Sequence, residues 1–201
     1  MTAYLVTGGA GFIGSHIVKR LVAHGEEVRV VDNFLTGYRE NLQDVLECIE
    51  LIEGDVRDTE LMRRAMRGVT YCLHQAALPS VPRSVEDPVT SHDINVNGTL
   101  NVLLAAKQEG VRRFVFASSS SVYGDLAVLP KQEDMPARPL SPYAVHKLVG
   151  EQYAAVFCAL YGLQTVSLRY FNVFGPSQDP KSPYAAAIPI FISALQKDRP
   201  A

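Results

Sequence analysis

The stretch VTGGAGFIGSH, residues 6–16, follows an apolar run and opens a helix-like segment. Gly9, Gly11 and Gly14 satisfy the pattern G-x-G-x-x-G, and Gly8 adds a second register, G-x-x-G-x-x-G. Glycines let a turn tighten and let the backbone approach a diphosphate, while the N-terminus of the next helix offers amide donors and a positive dipole. The stretch therefore predicts a phosphate-binding turn between a strand and a helix.

An acidic residue ends the second strand-like run: Asp32 lies 18 residues after Gly14. A carboxylate at this place accepts hydrogen bonds from the ribose of a dinucleotide and repels a 2′-phosphate. We therefore expect NAD rather than NADP as the cofactor, and Arg39 is the nearby residue that argues for NADP. A glycine-rich turn that binds nothing is the alternative, but the strand, the glycines, the helix and the acidic strand end agree with one another.

Strand-like and helix-like segments alternate along the chain. The strand-like runs are 4–6, 28–31, 49–53, 71–74, 114–116 and 165–168, and the helix-like segments are roughly 13–23, 59–67, 89–108, 142–161 and 186–196. Near-continuous apolar strands between helices indicate a parallel sheet that is covered on both faces. We therefore predict an α/β fold of the Rossmann type with a doubly wound parallel sheet.

Composition narrows the class of protein. The chain has 201 residues, is 47% hydrophobic and has a formal net charge of −2, which suits one globular domain and gives no basic face for nucleic acid. No apolar run reaches membrane-spanning length, and no signal peptide precedes the first strand-like run. The three cysteines have no metal-binding spacing, so we expect reduced thiols, no metal and a cytoplasmic location.

Four serines, residues 118–121, directly follow the strand-like run 114–116. In open α/β sheets the carboxyl ends of the strands are where ligands bind, so these hydroxyls are expected at a ligand site. Tyr143 and Lys147 lie four residues apart, on one face of a predicted helix. A neighbouring ammonium is expected to lower the tyrosine pKa from its ordinary value of about 10. The alternative is an amphipathic helix with a snorkelling lysine.

Eight motifs together resemble one family, the extended short-chain dehydrogenase/reductases of the nucleotide-sugar epimerase/dehydratase group. They are TGGAGFIGSH (7–16), VDN (31–33), GDVRD (54–58), HQAA (74–77), NVNGT (95–99), SSSSVYGD (118–125), YAVHK (143–147) and LRYFNVFGP (168–176). Within that group, AALPSVPRSVEDP (76–88) is most similar to UDP-N-acetylglucosamine 4-epimerases and their UDP-glucose relatives.

The resemblance implies a role for individual residues. Ser119 matches the catalytic serine position because it lies four residues before Tyr123 of the V-Y-G motif, and Tyr143 and Lys147 match the other catalytic positions. The implied NAD-binding residues are Gly8, Gly11, Phe12, Ile13, Gly14, Asp32, Asn33, Asp55, Val56, Ala76, Ala77, Asn95, Tyr143, Lys147 and Tyr170. The implied substrate-binding residues are Ser80, Ser119 and Asn172.

The implied reaction is 4-epimerisation of a UDP-sugar, in which a hydride leaves C4 to NAD and returns to the opposite face. A 4,6-dehydratase needs an added acid and base, and this chain has Ser120 and Ser121 where dehydratases carry Asp-Glu. A serine hydrolase using His74 or His146 lacks a G-x-S-x-G motif around its serine. A nucleotide sensor without chemistry needs no Ser/Tyr/Lys set.

The resemblance also implies domains and partners. Residues 1–176 are expected to form the NAD-binding domain, and residues 177–201 to begin a substrate-binding subdomain that is largely missing, which predicts weak turnover. Helices matching 89–108 and 142–161 form a dimer interface in the family, so a homodimer is expected. Packing of the same apolar residues against the sheet is the alternative.

Overall fold

A six-stranded parallel sheet forms the centre of the computed structural model, which describes residues 2–176, 178 and 187–196. The strand order is β3-β2-β1-β4-β5-β6. The strands are β1 (Ala3–Thr7), β2 (Glu27–Asp32), β3 (Ile49–Glu53), β4 (Tyr71–His74), β5 (Arg113–Ser119) and β6 (Gln164–Tyr170). The predicted Rossmann-type sheet is thereby confirmed, and each strand-like run in the sequence corresponds to one strand.

Seven α-helices connect and flank these strands within the described residues. They are α1 (Phe12–Ala23), α2 (Thr59–Met66), α3 (Val81–Glu86), α4 (Pro88–His92), α5 (Gly98–Gln108), α6 (Pro142–Tyr161) and α7 (Ala187–Gln196). Two 3₁₀ segments, Arg39–Cys48 and Ser120–Tyr123, and one π-helical turn, Asp93–Asn97, are the other helical elements among the described residues. Residues 177, 179–186 and 197–201, which belong to the expected C-terminal region, lie outside the described residues.

Side-chain caps explain where several of these helices begin. Asp58 accepts a hydrogen bond from Leu61 N at 2.9 Å and starts α2, and Ser141 accepts from Ala144 N at 3.2 Å and starts α6. Pro142 suits the first position of α6, where no amide donor is needed. Gly162 ends α6 in the left-handed conformation, with φ of 71°.

The helix predicted at 89–108 is irregular. A π-helical turn, Asp93–Asn97, joins α4 to α5, so the segment predicted to be helix-like is helical throughout but contains one wider turn. Asn95, at the centre of the turn, is buried and bonded to the backbone of Leu78 in the loop after β4. The wider turn therefore occurs where the helix meets that loop, and π turns often lie near functional sites.

Two apolar cores sandwich the sheet. On one face, Leu5, Phe114 and Phe116 pack under α2, α5 and α6. On the other face, Val6, Val28 and Val30 pack under α1 and under the 39–48 segment, which contributes the buried Leu42. Strand residues alternate between the two cores because successive side chains of a strand point to opposite faces. Within the described residues, no helix is both long and apolar enough to cross a membrane.

The connection order reverses between β1 and β4, which lie side by side at the centre of the sheet. The chains leaving these two strands diverge to opposite sides, and a crevice opens between them. Gly8 closes its base: with φ of 69°, it lies so near the loop after β4 that an added Cβ would come within 2.6 Å of Ala76 N. Only glycine fits a backbone contact of this kind.

A buried histidine joins three elements beneath this crevice. His74 Nδ1 lies 2.7 Å from Thr7 Oγ1 at the end of β1, and its Nε2 lies 3.0 Å from Thr99 Oγ1 on α5. The ring stacks on Phe116 at 5.9 Å and is fully buried. Burial, together with the charge of Lys147, lowers the pKa of His74 from 6.5 to about 3.

This histidine predicts a loss of stability in acid. Between pH 6.5 and about 3 the unfolded chain binds a proton at His74 that the folded chain does not bind, so the free energy of unfolding falls as pH falls. The expected slope is up to about 1.4 kcal/mol per pH unit. Urea unfolding at a series of pH values from 7 to 4.5 measures the free energy of unfolding, which should fall less steeply with pH for His74→Gln than for wild type. The exposed His24→Gln is the control, and equal slopes in all three proteins would contradict the prediction.

Candidate active site

A cavity of about 560 Å³ lies at the carboxyl ends of the strands, over the crevice between β1 and β4. Most of the residues predicted from the sequence line it. These are Gly8, Gly11, Phe12, Ile13, Gly14, Asp32, Asn33, Asp55, Val56, Ala76, Ala77, Ser119, Tyr143, Lys147, Tyr170 and Asn172. The structure therefore brings residues from the carboxyl ends of all six strands to one site.

The glycine turn forms one wall of the cavity. A Cβ on Gly14 would come within 2.1 Å of Gly8 O, so the turn is tight on its inner side. At Gly11, Gly8 O at 3.2 Å is the one heavy atom within 4 Å of an added Cβ. The first turn of α1 holds no acidic residue and has no side-chain cap. Its first amide groups are thus free to donate, and this arrangement fits the diphosphate of a dinucleotide.

Asp32 lies at the end of β2 with both carboxylate oxygens engaged by the backbone. Oδ2 accepts from Ala10 N and Oδ1 accepts from Phe34 N, each at 2.8 Å. Burial raises the pKa of Asp32, and these two hydrogen bonds oppose that shift. Its position is therefore fixed by the turn itself. Arg39, which argued for NADP, pairs with Glu53 at 2.7 Å and does not line the cavity.

Asp55 and Asn33 meet at the same end of the cavity. Asn33 Nδ2 donates to Asp55 Oδ2 at 2.9 Å. Arg57 donates to both oxygens of Asp55 at 2.9 Å and also pairs with Asp93 at 2.8 Å. The hydrogen bonds from Arg57 are the main reason that the pKa of Asp55 falls to about 2. This wall therefore carries a carboxylate that remains ionised at neutral pH.

Tyr143, Lys147 and Ser119 gather at the opposite end. Lys147 is 4% exposed, and its Nζ donates to Ala117 O at 2.8 Å. Burial lowers the pKa of Lys147 to about 8. Burial also raises the pKa of Tyr143 to about 12, and the polar hydroxyl of Ser119 opposes that shift.

The expectation that Lys147 lowers the tyrosine pKa is therefore wrong for this structure. Nζ lies 5.7 Å from the centre of the Tyr143 ring and is bonded to the strand carbonyl. Desolvation of the phenol outweighs any attraction to the ammonium, because loss of hydration disfavours the charged form.

The serine run separates into distinct environments. Ser118 is buried and donates to Glu151, while Ser119 accepts from Ser121 N at 3.1 Å and caps the 3₁₀ segment. Ser118 and Ser119 line the cavity, whereas Ser120 and Ser121 do not. Among the described residues, Ser121 Oγ is buried without a hydrogen-bond partner. Of the four hydroxyls, that of Ser119 is the one beside Tyr143.

Two predicted site residues do not line the cavity. Asn95 uses its whole amide, since Oδ1 accepts from Leu78 N at 2.7 Å and Nδ2 donates to Leu78 O at 3.1 Å. Ser80 is buried and caps α3 by accepting from Arg83 N at 2.8 Å. Both side chains are buried and hold the backbone beside the cavity.

Several lining residues were missed by sequence reasoning. They are found in the loops after β2, β4 and β6, in the 39–48 segment and on α3, where no periodic pattern marks them: Leu35, Thr36, Tyr38, Asn41, Gln75, Pro79, Arg83, Phe171, Val173 and Gln178. Arg83 is exposed and has no ion pair among the described residues, so it adds an available positive charge to the wall. Their position directly after strand carboxyl ends was the one signal that pointed to most of them.

The sheet and cavity place the protein in the class of α/β domains that bind a dinucleotide where the strand order reverses. A family model described as the NAD dependent epimerase/dehydratase family matches residues 4–201. The chain therefore belongs to this family, as the resemblance in the sequence predicted.

Three solved structures illustrate the similarity. A UDP-N-acetylglucosamine 4-epimerase from Methanobrevibacter ruminantium, in complex with UDP-N-acetylmuramic acid, is 42% identical with a TM-score of 0.94, over 98% of this chain and 64% of that one. A UDP-glucose 4-epimerase from Thermus thermophilus in complex with NAD is 46% identical with a TM-score of 0.90, over 100% and 64%. A dTDP-glucose 4,6-dehydratase from Streptomyces venezuelae is 36% identical with a TM-score of 0.89, over 98% and 63%.

The chain also matches curated relatives over part of their length. It spans 63% of a putative UDP-glucose 4-epimerase from Methanocaldococcus jannaschii, to which it is 44% identical over 197 residues.

The buried lysine predicts a distinctive response to alkali. Between pH 8 and pH 10 the unfolded chain keeps a proton on Lys147 that the folded chain releases, so this residue makes the fold more stable as pH rises. Wild type should gain up to about 1.4 kcal/mol per pH unit relative to Lys147→Met. Chemical unfolding across this range measures the difference. The exposed Lys107→Met should follow wild type, and a Lys147→Met curve parallel to wild type would contradict the prediction.

Proposed function

We propose that this chain is the cofactor-binding part of an NAD-dependent UDP-sugar 4-epimerase. The observation that carries the proposal is that Ser119, Tyr143 and Lys147 line one end of a cavity whose other wall is the glycine turn. We further propose residues 1–176 as the NAD-binding domain and residues 177–201 as the beginning of the substrate-binding subdomain.

The glycine turn and α1 would hold the diphosphate of NAD, Asp32 and Asn33 the adenosine ribose, and Asp55 with Val56 the adenine. Lys147 and Tyr170 would lie against the nicotinamide half, and Asn172 against the sugar. When bound, NAD supplies the acceptor and then the donor of the hydride at C4 of the sugar. The buried ammonium of Lys147 donates one hydrogen bond to Ala117 O, and a lysine ammonium has three donors. A ribose hydroxyl could therefore accept another hydrogen bond from it.

Tyr143 would remove and return the proton of the sugar 4-hydroxyl, and Ser119 would hold that oxygen in place. With a pKa of about 12 in this structure, Tyr143 is a neutral phenol at pH 7. Its base form must therefore develop in the loaded site, where positive charge lies beside it. Lys147, with a pKa of about 8, remains largely protonated at pH 7 and contributes one such charge.

The dehydratase alternative requires an acid and a base near the sugar. Among the described residues, the carboxylates that line the cavity are Asp32 and Asp55, and both lie at the end formed by β2 and β3, remote from Tyr143 on α6. Ser120 and Ser121 occupy the 3₁₀ segment after β5 and carry no charge. This arrangement favours epimerisation over elimination of water.

The hydrolase alternative requires a histidine beside the serine. His74 is bonded to Thr7 and Thr99 inside the core, and His146 lies against His92 with its Nδ1 3.4 Å from Ser91 Oγ. Neither histidine has Ser119 as a partner, so the observations favour proton transfer by tyrosine.

A pair of tyrosine variants tests the proposed reaction and the sensor alternative. Tyr143→Phe removes the acid–base hydroxyl and should lower kcat by about 10²–10⁴-fold with UDP-glucose or UDP-N-acetylglucosamine. Tyr153→Phe changes a tyrosine of the same helix that packs on the core, and should leave kcat nearly unchanged. Products are identified by chromatography. Equal activity of both variants, or a 4-keto-6-deoxy product from dTDP-glucose, would contradict the proposal.

We also propose that the protein is a homodimer through α6. This helix buries Phe157 against the sheet, yet it exposes Val145, Val156 and Leu160 on its surface, by 43%, 46% and 70%. A second apolar face is what packing against the sheet alone does not explain. On α5, Leu100 and Leu104 pack on the core, so α6 supplies the clearer support.

Sedimentation velocity at micromolar concentration tests the dimer. Val156→Glu places a charge in the proposed interface and should convert a dimer to a monomer, because an unpaired charge is costly to bury. Val128→Glu, in an exposed loop before α6, is the control and should sediment as wild type does. A wild-type protein that sediments as a monomer would refute the dimer.

A further inference from the structure

A second polar cluster lies directly behind Ser119. Ser118, the preceding residue, donates its hydroxyl to Glu151 Oε1. Arg169 binds the same carboxylate with two parallel hydrogen bonds, Nε to Oε1 at 2.9 Å and Nη2 to Oε2 at 2.8 Å. The Arg169 guanidinium also lies over the Tyr123 ring, 4.6 Å from its centre. The mechanism above uses none of these four side chains.

The cluster connects the elements that carry the proposed site. Ser118 and Arg169 are direct partners across β5 and β6, and so are their neighbours Ser119 and Tyr170. Glu151 lies on α6 one turn beyond Lys147 and two turns beyond Tyr143. A single carboxylate thus holds the end of β5, the end of β6 and the middle of α6 in one arrangement.

The geometry of this contact is restrictive. The Glu151 and Arg169 side chains are only 11% and 18% exposed, so water has little access to either charge. A two-bond pairing of guanidinium with carboxylate fixes direction as well as distance. Removing one partner leaves a charge without compensation in a largely buried place. The pair therefore fixes α6 against β6, and the hydrogen bond from Ser118 to the same carboxylate fixes the end of β5 at one spacing from α6.

That spacing sets the approach of Ser119 to Tyr143, because Ser119 stands on β5 and Tyr143 on α6. We propose that Glu151, with Arg169 and Ser118, is a positioning residue that aligns the Ser119 hydroxyl with the Tyr143 phenol. The inference rests on the proposed function for its consequence, since it concerns the pair to which proton transfer is assigned. Glu151 itself acts through Ser118 and does not touch the reacting atoms.

The test uses a double-mutant cycle read by NMR. Tyrosine labelled with ¹³C at Cζ reports the hydrogen bond of each phenol, and Tyr143→Phe identifies the resonance of Tyr143 among the nine tyrosines. Ser119→Ala should shift this resonance in the wild-type background. In the Glu151→Gln background, most of that shift should be lost, because the serine is already misaligned. Coupling of this kind shows in the departure from additivity.

Two further backgrounds make the result decisive. Ser118→Ala removes the hydrogen bond from Ser118 to Glu151 and keeps the Glu151–Arg169 ion pair. If Glu151→Gln fails to fold, the effect of Ser119→Ala on the Tyr143 resonance is compared between wild type and this background instead. Glu50→Gln breaks the Arg29–Glu50 pair at the other end of the sheet and should preserve the full shift. A shift of equal size in every background, or a loss in Glu50→Gln as well, would overturn the proposal.

The readout requires no turnover, so its outcome is separate from that of the epimerase assay. Where turnover is measured, Glu151→Gln should lower kcat about tenfold or more with little change in KM, because misplacement of a reacting group by a fraction of an ångström slows the chemical step. A change in KM alone would indicate a role in binding and would contradict positioning.

Discussion

The contact between two backbone turns at the centre of the sheet is the constraint on which the site depends. Gly8 after β1 and Ala76 after β4 approach so closely that no side chain fits between them, and Gly14 presses on Gly8 from the other side. The turns can close in this way because β1 and β4 are adjacent while their connections run to opposite sides. The same contact sets the base of the cavity and the direction of α1.

Charge is distributed unequally between the two ends of the cavity, and burial decides its effect. At one end, Asp55 is supported by Arg57 and Asn33, so its pKa falls. At the other end, Tyr143 and Lys147 are desolvated, and burial favours the neutral form of each. At pH 7 that end therefore holds a neutral phenol beside a lysine that is still largely protonated. Such a site departs from the most stable arrangement of its residues, as functional sites commonly do.

The fold was predictable because its signals are local. Each apolar run became a strand, and the glycine pattern located the turn at the point where the sheet reverses. The cavity wall was predicted best where motifs cover it, and missed where loops contribute residues such as Gln75 and Arg83. Motif matching also assigned Asn95 and Ser80 to the cavity, whereas both side chains hold backbone. The pKa of Tyr143 was mispredicted because spacing along a helix reveals a neighbouring charge but not the desolvation around it.

The π turn at Asp93–Asn97 has a geometric consequence for the long helical segment that contains it. Ser91, Asn95 and Thr99 recur every four residues, and in a regular α-helix that interval drifts around the axis because one turn takes 3.6 residues. One wider turn corrects the phase. Asn95 then faces the Leu78 loop while Thr99 faces His74 in the core. A deletion of one residue here would restore regular α-helical winding and rotate Asn95 and Thr99 relative to each other. The π turn therefore allows one helical segment to contact both the Leu78 loop and His74 in the core.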